Sequence, residues 1–155
     1  MPKLGMEPIR TTALINAVIT EIGKTGSMEV TVSQIAKRAG MSSALAHHYF
    51  GSKTNMFIAA MRHILTQFAE EVRANLSGQT DPQARIETII RTSFSDLNMH
   101  PDTVSAWLNF YVYAQRSGEV SRLLQVYHRR LRSNLLWELR QLVPEKADMV
   151  AEGIA

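Results

Sequence analysis

The 155-residue chain contains no cysteine, which excludes disulfide staples, thiolate metal sites and a cysteine nucleophile together. Long apolar runs are missing as well. The longest interior stretch that reads as apolar and lacks Asp, Glu, Lys and Arg is residues 103–115, too short to span a bilayer. No long apolar segment of signal-peptide type stands at the N-terminus, so the expected location is cytoplasmic, without membrane contact. Catalytic patterns are equally scarce: the sequence has no nucleophile elbow and no phosphate loop. His47 and His48 are adjacent and cannot both face one metal from one side of a helix, while His63, His100 and His128 are scattered without a carboxylate pattern. Neither an enzyme nor a bound cofactor is expected.

With 45% apolar and 20% charged residues the composition is that of a globular protein large enough for a core. Apolar residues recur at helical spacing from end to end, and no strand alternation or internal repeat interrupts them, so the expected fold is all-α. Leu14, Ile15, Val18, Ile19 and Ile22 stripe a first helix from about Pro8 to Thr25. Met56, Phe57, Ala60, Met61, Ile64, Leu65, Phe68 and Val72 keep the same period on a long helix from Lys53 to about Leu76. Breaks at 77–80, 98–102 and Ser117-Gly118 separate further helices, from Asp81-Pro82, from about Pro101 to Arg116 and from about Glu119 to Leu142; Pro144 opens a last one. The net charge of +3 is unevenly placed. Residues 1–55 hold Lys3, Arg10, Lys24, Lys37, Arg38 and Lys53 against Glu7, Glu21 and Glu29, and the rest of the chain balances. A basic N-terminal third suits nucleic-acid contact there.

The stretch from Thr31 to Lys53, TVSQIAKRAGMSSALAHHYFGSK, carries the sharpest pattern. Thr31 and Gln34 form a capping box before a helix of about two turns, and Gly40 supplies the left-handed residue of a tight turn above Met41. Ser42 then caps a second short helix, stopped by Gly51 and followed by Ser52 as the next cap. This is a helix-turn-helix. At 100° per residue Ser43, Ala44, His47 and His48 share one arc, with Leu45 at its rim, and Ala46, Tyr49 and Phe50 lie opposite. A small, hydrogen-bonding outer arc over an apolar inner one is the division a helix in the DNA major groove requires. The expected base-reading residues are therefore Ser43, Ala44, Leu45, His47 and His48. Tyr49, Lys53, Thr31 and Lys3 are expected at phosphates, Lys53 from a helical first turn whose free amides add to its charge.

A second cluster is AWLNFYVYA, where Trp107, Phe110 and Tyr111 are i, i+3, i+4 neighbours; Tyr127 and Trp137 follow on the next helix. Two readings remain open from the residues. The rings fill a core, or some of them surround a cavity and hold a quaternary ammonium against their negative faces, with Asp96, Asn98 and Asn109 as polar groups to orient it. The box so expected comprises Trp107, Phe110, Tyr111 and Tyr127.

The segment 35–53 resembles the DNA-binding signature of TetR-family repressors: Gly40, Ser42, Tyr49, Phe50, Ser52 and Lys53 match it, and Ala44, Leu45, Ala46 and His47 depart from it. MPKLGMEPIR, AWLNFY and RLLQVYHRRLRSNL resemble the choline-responsive BetI group within that family. The resemblance implies an N-terminal three-helix DNA-binding domain, residues 1–53, and a helical effector-binding and dimerisation domain, residues 54–155, shortened at the C-terminus by the family's last helix. It implies a homodimer on a palindromic double-stranded operator, released by a choline-like cation, in control of glycine betaine synthesis. A TetR-type repressor for another ligand, or a helical interaction module without DNA binding, are the alternatives.

Overall fold

The computed structural model describes residues 5–154. Among them the only regular elements are eight α-helices: α1 (Met6–Thr25), α2 (Val32–Arg38), α3 (Ser43–Phe50), α4 (Lys53–Leu76), α5 (Pro82–Ser93), α6 (Pro101–Ala114), α7 (Gly118–Leu142) and α8 (Ala147–Ile154). The all-α expectation holds. Four boundaries differ from the sequence reading, one of them at α5, which stops at Ser93 with Phe94 as its C-cap instead of running on through Phe94 and Leu97 to the break at 98–102. Helix α1 starts two residues before Pro8, behind Gly5 with φ 103° and no side-chain cap. Helix α6 stops at Ala114 rather than Arg116. Pro144 does not open α8: the amide of Lys146 closes a turn on the carbonyl of Val143 at 2.9 Å, and the helix begins only at Ala147.

The chain forms two compact units. The first runs to Ile64 and also takes in His100–Tyr113, so it contains α1, α2, α3, the first half of α4 and nearly all of α6. Its apolar interior includes Leu14, Val18, Ile22, Val30, Ile35, Met56, Met61 and Phe110, each at most 1% exposed. Helix α2 packs on both α1 and α3. Helix α6 is held to the end of α1 by polar bonds, from the Ser105 hydroxyl to the carbonyl of Ile22 and from the Asn109 amide to that of Gly26, both at 3.3 Å. The Ile22 carbonyl already accepts the Gly26 amide at 2.8 Å, so Ser105 is a second donor to it, while Asn109 reaches the cap residue itself.

The second unit comprises Leu65–Met99 and the chain from Ala114 onward. Phe68 and Val72 of α4, Ile89 of α5, Leu135, Leu136 and Leu139 of α7, and Ala147 and Ala151 of α8 form its core. The small alanines let α8 approach α7 closely. One charged pair enters this interior: Glu138, 3% exposed, accepts from Nε of Arg85 at 2.6 Å, and Arg85 also donates to the carbonyl of Gln79. Asn98 bonds Glu71, Ser95 and the carbonyl of Thr92, pinning the turn after α5.

Candidate nucleic-acid interface

The helix-turn-helix is built by local bonds that the sequence announced. The Thr31 hydroxyl oxygen accepts from the amide of Gln34, and the Gln34 side chain accepts from the amide of Thr31 at 2.7 Å, the reciprocal cap of α2. At the other end the Gly40 amide reaches the carbonyl of Lys37 and the Met41 amide that of Ala36, with Gly40 at φ 70°. That pair of bonds is the Schellman closure, and it needs the left-handed residue where glycine stands. Ser42 then caps α3 through the amide of Leu45. After α3 the Ser52 hydroxyl caps α4 through the amide of Asn55, while the Asn55 side chain donates to the carbonyl of Phe50 at 2.9 Å. An ion pair between Arg38 and Glu21 adds a bridge from α2 to α1.

On α3, Ala46 is buried, and Tyr49 and Phe50 are half-buried. Ala44, His47 and His48 are exposed, and Ser43 and Leu45 are half-exposed beside them. The outer arc expected from spacing is therefore an accessible surface. Two contacts on it escaped the sequence reading. His47 Nδ1 lies 3.1 Å from the carbonyl oxygen of Gly51, and the ring of His48 meets that of Tyr49 edge-on at 5.6 Å. Lys53 stands in the first turn of α4, with its ammonium 5.4 Å from the centre of the Phe57 ring. Thr31 is exposed, but its hydroxyl both donates to and accepts from Gln34. Lys3 lies outside the described residues.

The aromatic residues separate. Trp107 and Tyr111 meet on α6 with ring centres 5.8 Å apart and planes tilted by 30°. Phe110, one of the expected box residues, is fully buried in the first unit. Tyr127 belongs to the second unit, where its ring packs edge-on against Phe68 at 5.9 Å. Burial pushes the Tyr111 phenol above its ordinary value. Asn98 and Asn109 are occupied by the structural bonds given above. A cleft of about 240 Å³ opens on α7, lined by Arg129, Arg132, Ser133, Leu136, Trp137 and Arg140, and none of the four expected box residues lines it.

Two short capped helices joined by a glycine turn, the second with a small polar outer face, define a DNA-binding protein of the helix-turn-helix class. Comparison with known proteins agrees. Residues 14–60 match the bacterial regulatory proteins of the tetR family, and residues 82–155 match the BetI-type transcriptional repressor C-terminal family. The HTH-type transcriptional regulator BetI of Brucella anthropi is 49% identical over 154 residues, 99% of this chain and 79% of that protein. BetI of Rhizobium meliloti is 50% identical over 156 residues, covering 100% and 77%. Among solved structures, a TetR transcription regulator from Haloarcula marismortui has a TM-score of 0.85 at 20% identity, over 94% of this chain and 80% of that one. A transcriptional regulator from Pseudomonas aeruginosa PAO1 reaches 0.83 at 22% identity, over 97% and 76%. The chain belongs to the TetR family of transcriptional regulators, with a BetI-type C-terminal region. It is a DNA-binding repressor by family, and its relatives are regulators rather than enzymes. No helix among the described residues is long and apolar enough to cross a membrane.

Proposed function

We propose that this chain represses transcription from the cytoplasm as a homodimer on a palindromic operator, and that a choline-like quaternary ammonium releases it, in control of glycine betaine synthesis. The observation that carries the DNA reading is the accessible outer arc of α3, with Ser43, Ala44, Leu45, His47 and His48 at base edges. Tyr49, Thr31, Lys3 and Lys53 hold phosphates around it, Lys53 beside the free amides that begin α4. Residues 1–53 carry this contact, and residues 54–155 serve effector binding and dimerisation. Two recognition helices about 34–36 Å apart then meet successive major grooves, and exposed Trp137 and Met149 are apolar side chains that pairing of two copies covers.

The effector reading rests on the tilted Trp107–Tyr111 pair, whose ring faces suit a cation without a formal counter-charge. Ligand binding favours an arrangement of the dimer with the wrong helix spacing, and a hundredfold loss of affinity needs a differential of about 2.7 kcal/mol. Helix α4, which starts in the first unit and ends in the second, is the element that carries the change. Gel shift with genomic operator fragments against random DNA, repeated with choline, betaine aldehyde, glycine betaine and ammonium, tests both parts. Equal affinity for operator and random DNA sinks the repressor; operator binding indifferent to choline sinks the effector.

A further inference from the structure

His47 differs from its neighbours on the outer arc in having one ring nitrogen committed. A carbonyl oxygen carries lone pairs and no hydrogen, so the 3.1 Å contact between His47 Nδ1 and Gly51 O is a bond only with the proton on Nδ1. A neutral imidazole has a single N–H, and placing it there leaves Nε2 as a bare acceptor. The link is closed from the other side, because the Gly51 amide donates to the His47 carbonyl at 2.7 Å. Gly51 holds φ 74°, a conformation that L side chains rarely adopt, so the two-way link depends on glycine at this position. His47 is exposed on the same arc as Ala44 and His48.

In the major groove guanine shows two acceptors at N7 and O6, and thymine shows O4 and a methyl group. The donors are the exocyclic amino groups, N4 of cytosine and N6 of adenine. We propose that neutral His47, its tautomer set by Gly51, is a specificity-determining residue that accepts from one of these amino groups and rejects guanine. This rests on α3 being the helix that enters the groove.

The test selects binding sites from a random double-stranded library at about pH 8, using the wild type, His47→Ala and Ser43→Ala. The wild type is expected to enrich cytosine or adenine at one position of each half-site, and His47→Ala to flatten that position alone. Replacing that base by an analogue without the amino group should cost the wild type about tenfold and His47→Ala nothing. Long-range proton–nitrogen NMR of the free protein should show His47 protonated at Nδ1. Enrichment of guanine at the His47-dependent position, or a proton on Nε2, overturns the proposal and leaves the groove assignment standing. Unchanged selection by both variants removes α3 from the groove and overturns both.

Discussion

Gly23 of α1 and Asp102 of α6 lie so close that no side chain fits between them: a Cβ built on Gly23 collides with Cβ, Cγ and Oδ1 of Asp102. Mid-helix glycine ordinarily weakens a helix by up to about 1 kcal/mol relative to alanine, so its place here reflects contact rather than propensity. Because the collision includes the Asp102 Cβ, turning the carboxylate away does not relieve it. Gly23→Ala should therefore lose about 1–3 kcal/mol of stability through overpacking, read from urea unfolding. Gly153 of α8, with nothing within 4 Å of its added Cβ, is the control. Gly153→Ala should leave stability unchanged or raise it by up to about 1 kcal/mol. Equal effects of the two variants would remove the α1–α6 contact as a cause.

The Arg85–Glu138 pair makes a second claim about stability. Glu138 is 3% exposed, and its side chain bonds Arg85 and Gln141. Removing Arg85 strands a carboxylate in an apolar interior, which costs more than the intact pair contributes. Arg85→Ala should lose about 3 kcal/mol, the low end of the range for buried pairs, because the Arg85 side chain keeps 28% of its surface exposed. The double variant Arg85→Met, Glu138→Leu should recover most of that loss. A single variant as stable as the wild type in denaturant would show the pair to be solvent-bridged instead.

What the sequence disclosed and what it withheld follow the range of the interactions. Each cap of the helix-turn-helix joins residues at most five apart, Thr31 to Gln34, Ser42 to Leu45, Ala36 to Met41, and spacing alone exposes such bonds. The same holds for the outer arc of α3, since burial of Ala46 and exposure of His47 follow from helical period once the inner face is known. The bond from His47 to Gly51 is equally local, and its signal, a histidine four residues before a helix-stopping glycine, was legible but unread. Long-range placement was not. Ser105 reaches the end of α1 across 83 residues, and no local pattern assigns α6 to the unit of α1 and Tyr127 to the other. Periodicity says that a ring faces inward, not which interior it enters.

That distinction separates the aromatic residues experimentally. Phe110 is fully buried, so Phe110→Ala should cost about 3–5 kcal/mol of stability. Trp107 and Tyr111 keep part of their surface in water. Trp107→Ala should cost less stability and should abolish the stabilisation by choline, which for the wild type at a hundred times Kd amounts to about 2.7 kcal/mol and is read as a rise in melting temperature. Choline stabilising Trp107→Ala as much as the wild type would take the cation away from this ring.

Lys53 offers the cleanest separation of positioning from reading on the DNA side. Its ammonium stands at the start of α4, where Ser52 caps one amide and the helix leaves others free. A cation there neutralises a phosphate whatever the base sequence. Lys53→Met, which keeps an apolar stem over Phe57, should weaken operator and random DNA by the same factor. It should also reduce the slope of log affinity against log salt by about 0.9, the release of one counterion. Loss of the cation–π contact with Phe57 is worth only about 0.5–1 kcal/mol, so circular dichroism should show the folded fraction unchanged. Lys53→Arg should restore affinity, because the charge returns. A Lys53→Met protein that loses operator binding but keeps the wild-type salt slope would place this ammonium away from the backbone, and the grip at the start of α4 would have to be assigned to its amides alone.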